Sequence, residues 1–396
     1  MMSQRPVTVA WISYFPVEWL SDVPEEVKRL PRLHPATWQQ VLLAEMENDP
    51  RVKLHIIVLR KQFAADLHFE RNGVFFHLLK TIGGMRAPSL FWHDTLLIRR
   101  LLKRIKPDLV HAWGTEQGAG LIATRLGYPH LVSIQGLFTL FKERIRLNWH
   151  ERLVQLLEVP TLRCAQAVSA ESVSTVEFLR RMNPRLQPFH IEHPPLADFH
   201  KVVRQPENAK PALLVVGSWD FRKGSDLLLR AMAQLRRQFD FKLTCVTHPQ
   251  AAFHREITRG IAPEFIRQVE FKINLTTEQM MAEYGRATLL LMASRADTGP
   301  VAVKEAVVAG LPVVATEVGG VPEYIVPFKN GLSCRPGDAE EFQRTVTAVL
   351  GHPLLSKGQV DGVVLRNKRE YLSGKRAANL FIETYQQLTA PALRTR

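Results

Sequence analysis

The sequence predicts two successive α/β domains, each a parallel β-sheet wrapped by helices. Three observations carry this. The chain has 396 residues, more than one hydrophobic core usually serves, so two domains of roughly 150–200 residues are expected. Short apolar runs of strand type alternate with stretches of helical period through both halves, the pattern of a parallel sheet with helices on both faces. The alternation breaks once, near His193-Pro194-Pro195, ahead of a polar, charged stretch at 201–211 that reads as an interdomain linker.

In the first half the strand candidates are 7–12, 52–59, 109–112, 130–134 and 165–169, with a helix at 35–48 that has Pro35 near its start and ends at Asn48-Asp49-Pro50. In the second half they are 212–216, 242–246, 269–273, 289–292 and 313–316, separated by helical stretches at 226–239, 277–286 and 301–310. The expected division is 1–200 for the first domain, 201–374 for the second and 375–396 for a closing helix. Two such domains in succession leave a cleft lined by the carboxyl ends of their strands, where open α/β sheets bind ligands.

Composition narrows the class. Hydrophobic residues make up 46% and charged residues 23%, as in ordinary folded proteins rather than disordered ones. Cys164, Cys245 and Cys334 are far apart and form no CxxC pair, which suggests neither a disulfide framework nor a zinc site and fits a cytoplasmic location. The first residues lack the apolar run of a signal peptide, and no stretch of about 18 apolar residues suggests a membrane-spanning helix.

The net charge of +14 favours polyanions: nucleic acid, anionic lipid or phosphorylated small molecules. No basic-aromatic nucleic-acid module appears, so nucleic acid ranks last among these. At 96–107 Leu97, Leu101 and Ile105 recur at helical spacing beside Ile98 and Leu102, with five basic residues on the other faces. This basic amphipathic helix reads either as an ordinary helix covering a sheet or as a dock on anionic membrane. The stretch 138–153, with Phe141, Ile145 and Trp149 among Lys142, Arg144, Arg146 and Arg152, has a similar mixture.

Two segments carry chemistry. The first is the apolar run Leu213-Leu214-Val215-Val216 followed by Gly217-Ser218-Trp219-Asp220-Phe221-Arg222-Lys223-Gly224-Ser225-Asp226 and an apolar helix, with Ser225 or Asp226 as a candidate cap. Gly217 allows close backbone approach, and Arg222 and Lys223 can neutralise a diphosphate. The second runs from Asp297-Thr298-Gly299-Pro300-Val301 through Glu305 to Glu323. A helix beginning after Pro300 offers free amides to phosphate oxygens. Asp297 and Glu305, eight positions apart, repel phosphates but accept hydrogen bonds from hydroxyl groups. A nucleotide sugar, with phosphates in the middle and hydroxyls at both ends, satisfies both preferences. The alternative is an exposed acid plus a helix acid paired with Lys304 or Lys223.

This spacing resembles the acid-x7-acid motif of retaining glycosyltransferases of GT-B fold, the glycogen-synthase-like group known as group 1 or family 4. Glu305-Ala306, Gly310-Leu311-Pro312-Val313-Val314-Ala315-Thr316 and Val318-Gly319-Gly320-Val321-Pro322-Glu323 are similar to it almost residue by residue. The resemblance implies two Rossmann-like domains facing a cleft, with the closing helix crossing back to the first. It implies Glu305 on the ribose hydroxyls, Asp297 on the transferred sugar and Lys223 on the diphosphate. Backbone groups of Thr298, Gly299, Pro300 and Val301 would wrap the phosphates and sugar, and Ile273 and Asn274 would lie against the base. It also implies transfer with retention and without a metal or other cofactor, the donor being a substrate.

The departures are specific. Asp297 stands where Glu is usual, and Pro300 has no N–H for a phosphate. Ser218 replaces the Arg that usually follows the loop glycine, a charge that Arg222 can supply instead. On the acceptor side, Pro107-Asp108-Leu109-Val110-His111-Ala112-Trp113-Gly114 and Leu131-Val132-Ser133-Ile134-Gln135-Gly136 resemble family segments. Gln135 stands where a His is frequent and cannot exchange a proton as His does. The expected acceptor is a glycan or lipid-linked chain of cell-envelope polysaccharide synthesis, with peripheral contact on the inner face of an anionic plasma membrane. A nucleotide-sugar epimerase and a catalytically silent donor-binding subunit are the rival readings.

Overall fold

The structure, a computed structural model, describes residues 5–32, 36–83, 86, 88–206, 209–247 and 251–390. The chain forms two compact units, Met1–His193 with Gly374–Arg396, and Pro194–Ser373. The expected helix start at Pro35 lies outside the described residues; the helix itself is Thr37–Met46.

In the first unit eight strands form one sheet in the order β3-β4-β2-β1-β5-β6-β7-β8. They are β1 Val7–Ile12, β2 Val52–Arg60, β3 Leu67–Arg71, β4 Val74–Lys80, β5 Leu109–Trp113, β6 His130–Ser133, β7 Ala167–Ala170 and β8 Gln187–His190. β1 lies between β2 and β5, parallel to both. All of β5 and β6 is buried, as parallel strands covered on both faces require. One strand departs from the expected parallel pattern: β3 runs antiparallel to β4. Asn72 and Gly73, at φ 49° and 75°, make the hairpin turn that Asn-Gly favours. β3 lacks an apolar run because it is an edge strand of half-buried and exposed residues. β8 is also unannounced in the sequence; its Pro188 is tolerated because the strand is outermost.

The second unit holds six parallel strands in the order β11-β10-β9-β12-β13-β14. They are β9 Ala212–Val216, β10 Lys242–Val246, β11 Val269–Lys272, β12 Leu289–Met292, β13 Val313–Thr316 and β14 Gly331–Cys334. Four of them have the bounds read from the sequence, β11 is one residue shorter, and β14 is a short edge strand the pattern does not reveal. Apolar clusters cover both faces of each sheet.

The stretch read as a linker is built into the second unit where it is described. Phe199 and Val202 are buried in its core. The Arg204 guanidinium donates to the carbonyls of Gly285 (2.9 Å), Ala287 (2.6 Å), Gly358 (2.9 Å) and Tyr284. Residues 207 and 208 lie outside the described set. A polar sequence here reflects one arginine tying down loop carbonyls, not an absence of packing.

The closing helix, Gly374–Thr389, belongs to the first unit. Its Tyr385 hydroxyl accepts from Trp11 Nε1 at 3.1 Å and pairs with His111 Nδ1 at 2.7 Å. The Trp92–Ile105 helix buries Ile98, Leu101 and Leu102 and exposes Arg100, Lys103 and Arg104, so it is an amphipathic cover for the sheet. The second basic stretch is not one helix. It breaks into Phe138–Phe141 and Trp149–Cys164, the latter started by a capping box of Asn148 and Glu151.

Candidate functional site

In the second unit the loops after β9 and β12 are stitched together. Gly224 sits at φ 68°, where a Cβ would collide with the Ala293 carbonyl, so glycine lets the two backbones touch. Arg295 donates to both Asp226 carboxylate oxygens, at 2.6 and 2.9 Å, and covers the Phe221 ring at 3.7 Å. Asp226 therefore serves this ion pair and does not cap its helix, whose N-cap is Gly224 without a side-chain bond. Asp220 organises the turn, accepting from Ser218 Oγ at 2.6 Å and the Lys223 amide at 2.8 Å. Asp220 and Arg295 are missed by motif reading, because their work is to shape the loops.

This stitching brings Lys223 Nζ to 2.6 Å from Asp297 Oδ2, with Arg222 at 3.8 Å from the same oxygen. Burial pushes the Asp297 carboxyl up, but Lys223 and Arg222 outweigh it and hold the group below its ordinary range. Thr298 donates its amide to Asp297 Oδ1 at 3.0 Å. The Gly319-Gly320 turn closes over Thr298: a Cβ on Gly319, at φ 53°, would strike the Thr298 carbonyl, and the Gly320 amide donates to that carbonyl at 2.9 Å. Gly319→Ala is expected to cost about 1–3 kcal/mol, from strain at positive φ plus the collision, measurable as a lowered midpoint in denaturant unfolding.

Pro300 heads the Val301–Ala309 helix. Gly299, Pro300 and Val301 thus stand at its N-terminus, and buried Glu305 lies on its second turn. Tyr284 donates its hydroxyl to Glu305 Oε2 at 2.8 Å, while Lys223 pairs with Asp297. Burial pushes the Glu305 carboxyl up to about 7, against the opposing pull of the Tyr284 bond. Tyr284 is a further residue that the sequence does not mark, lying on the neighbouring Thr277–Arg286 helix.

A cavity of about 400 Å³ opens beyond the carboxyl ends of β9, β10 and β11, bounded by Gly217, Ser218, Thr247, Lys272, Ile273 and Asn274. It unites four predicted donor residues, Gly217, Ser218, Ile273 and Asn274, in a space fit for a planar base. Its lining does not include Asp297 or Glu305. The predicted donor residues therefore form three neighbouring groups on one sheet's carboxyl edge: a base-sized cavity, a cation–acid pair and a helix N-terminus.

In the first unit His111 is fully buried. Its Nε2 meets Ser133 Oγ at 2.6 Å and its Nδ1 meets Tyr385, and burial depresses its pKa well below the ordinary value. Both nitrogens are thus used structurally, Nδ1 holding the closing helix to the sheet and Nε2 tying β5 to β6. Gln135 instead lines a cavity of about 130 Å³ together with Ser13, Tyr14, Trp113 and Glu116. Gly136 stands beside it, its Cβ position 2.8 Å from Glu116 Oε1. Glu116 has no counterpart in the motif reading.

Comparison with known proteins agrees with this architecture. Residues 210–352 match the family model for glycosyl transferases group 1, and residues 31–195 match that for a glycosyl transferase 4-like domain. A glycogen synthase of Mycobacterium tuberculosis is 25% identical over 150 residues, 38% of this chain and 36% of that protein; the match thus spans about a third of that relative's length. The fold superposes on sucrose-phosphate synthase from Thermosynechococcus elongatus with a TM-score of 0.73 at 19% identity, covering 96% of this chain and 99% of the other. Anabaena HepE in complex with UDP gives 0.67 at 14% identity, covering 96% and 100%. With both halves matched by paired family models and the fold shared end to end, the chain belongs to the group 1 glycosyltransferases of GT-B fold.

Proposed function

We propose that this protein transfers a sugar, with retention of configuration, from a nucleoside-diphosphate donor to a hydroxyl of a glycan or lipid-linked acceptor in envelope polysaccharide synthesis. The observation that carries the reading is the Lys223–Asp297 pair at 2.6 Å beside Arg222 and the Val301 helix N-terminus. A diphosphate entering there exchanges one partner of each group: Lys223 and Arg222 turn to phosphate oxygens, and Asp297 to the sugar hydroxyls. The two cations stabilise the charge that grows on the leaving diphosphate, so no metal is invoked. Glu305 takes the ribose hydroxyls, and the cavity by Ile273 and Asn274 the base. The solved complex of HepE with UDP-glucose supports a nucleotide-sugar donor.

Incubating the purified protein with a panel of UDP-, GDP- and ADP-sugars tests this. Glycosyl transfer, or slow donor hydrolysis, is expected, with the product anomer read by NMR matching the donor's and with EDTA having no effect. Epimerised donor would favour the epimerase, and donor binding without turnover would favour a silent subunit.

The lipid side of this reading rests on the Trp149–Cys164 helix. Trp149, Leu153 and Leu156 fall on one face at i, i+4 and i+7 and are 79%, 45% and 64% exposed. Lys142, Arg146 and Arg152 border the groove beside Leu156. An exposed tryptophan and leucines ringed by cations match an anionic lipid surface. Among the described residues no helix is long and apolar enough to cross a membrane. Co-sedimentation with phosphatidylglycerol-containing vesicles, and not with phosphatidylcholine alone, is expected. Trp149→Asp with Leu156→Asp should weaken it about tenfold or more. Equal binding to both vesicle types would remove the anionic surface as partner.

A further inference from the structure

Three imidazoles stand in a row across β2, β4 and β3, on the face that also carries Ile57. His55 Nδ1 meets His77 Nε2 at 3.0 Å, and His77 Nδ1 meets His68 Nδ1 at 3.1 Å. Strand register makes the row: Ile57 pairs with His77, and His77 with His68. A slip of one residue in any of the three strands would turn a ring to the other face. We propose that His77 and His68 form a binding site for a divalent transition-metal ion of the zinc, nickel or copper type, with His55 as the group that orients His77. The site shares no residue with the donor groups of the second unit, and the inference is independent of the glycosyl-transfer reading.

The ring geometry supports the division of roles. The His55 and His77 centroids are 5.3 Å apart with the planes 5° from parallel. With the two nitrogens only 3.0 Å apart, that separation places both nitrogens close to the line between the ring centres, where one donates to the other. When His77 Nε2–H is the donor, Nδ1 is the bare nitrogen that faces His68. A metal-bound histidine commonly donates its other N–H in this way, which fixes its tautomer and direction. His55 suits the supporting place: it is 8% exposed, and its ring stacks on Phe75 with centroids 4.8 Å apart. His68 is exposed and His77 half-buried, so an ion reaches both from solvent.

Two imidazole nitrogens on one ion, each about 2.0–2.1 Å from it, stand roughly 2.9–3.4 Å apart between octahedral and tetrahedral angles. The 3.1 Å contact of His68 with His77 falls inside this range. The ion takes the place of the proton in that contact, and His68 carries its proton on Nε2 instead, so both ligands stay neutral. Charge on the same face favours a cation. Exposed Glu70 stands opposite Phe75, two residues from His68, while Lys53 is turned over the Phe75 ring at 4.9 Å. Near the strand end, Lys80 Nζ is held by the Ala64 carbonyl at 2.9 Å, and Asp66 accepts from the Lys80 amide at 2.8 Å. Imidazoles completed by water or carboxylate suit zinc, nickel and copper, whereas magnesium and calcium take oxygen ligands. Because β3 is an edge strand, an ion shared between it and β4 clips it to the sheet.

The full chain, stripped with EDTA and freed of it, is titrated with ZnCl2 by calorimetry at about pH 7.5, where unpaired imidazole is mostly neutral, with MgCl2 as control. Amide hydrogen exchange in β3 is followed with and without zinc. Zinc and not magnesium is expected to bind, and to slow exchange in β3 about tenfold at saturation. His68→Ala and His77→Ala should each weaken zinc binding about tenfold or more and abolish the slowing. His55→Phe, which keeps an aromatic ring but removes the acceptor, should weaken binding about tenfold. His68 is exposed, so its replacement spares the packing and decides the matter if His77→Ala does not fold. Absence of zinc-dependent slowing in the wild type, an equal response to magnesium, or unchanged binding and slowing in His68→Ala overturns the inference. Unchanged zinc affinity in His55→Phe overturns the part given to His55.

Discussion

Lys223→Ala is expected to lower kcat/KM about 10²–10³-fold, roughly 3–4 kcal/mol of transition-state stabilisation, through kcat more than through donor affinity. The reason is where charge develops. In the donor-free chain the ammonium lies 2.6 Å from Asp297, an interaction that a bound diphosphate must replace, and the replacement grows stronger as the ester bond breaks. Arg222, at 3.8 Å from the same carboxylate, contributes a second cation where Ser218 carries none. Arg222→Ala should cost about tenfold, and the double variant less than the product, because both cations act on one charge. Both ion-pair partners keep some exposure, 24% for Lys223 and 11% for Asp297, so the stability loss in Lys223→Ala should stay near about 1 kcal/mol. Thermal unfolding separates that loss from the kinetic one. Normal steady-state rates in Lys223→Ala and Arg222→Ala would take the loop out of the mechanism.

The second large effect is at Glu305, where Ala should raise the donor Kd about 10–100-fold and Gln should also abolish its pH dependence. Burial raises this carboxyl to about 7, so below that pH the donor-free protein holds it protonated. Ribose hydroxyls bind the carboxylate, so donor binding releases a proton, and affinity rises with pH up to about 7, at most tenfold per unit. Above about 7 the affinity levels off. Tyr284→Phe removes the hydroxyl that donates to Glu305 at 2.8 Å and should move the midpoint upward. Calorimetric UDP titrations from about pH 5.5 to pH 8.5 read all three; a flat wild-type profile would dissociate Glu305 from the ribose.

The proposed donor edge was legible because its residues lie on short, regular segments. A buried strand, a glycine, two cations and a helix follow one another between Leu213 and Leu235, and the same kind of order runs from Leu289 to Glu323. What stayed hidden depends on residues far apart in sequence. Tyr284 meets Glu305, and Arg295 meets Asp226, only because the parallel strands place the helices and loops that follow them side by side. β3 could have been found from Asn72-Gly73, and the Trp149 helix start from Asn148 with Glu151. β8 and β14 are half-buried edge strands, too short for period to show.

Taken alone, the amino-acid order determined the α/β class and most of the strands, and it singled out the acid and basic residues of the proposed donor loops, since each follows from local period and residue chemistry. Tertiary structure decided which groups meet. It paired Lys223 with Asp297, made His111 a bonded core residue under the closing helix, and lined up His55, His77 and His68 across three strands. The reason is physical: an ionisable group's partner and its degree of burial come from neighbours brought by the fold, and these determine whether it joins a structural ion pair, a core hydrogen bond or a row of imidazoles.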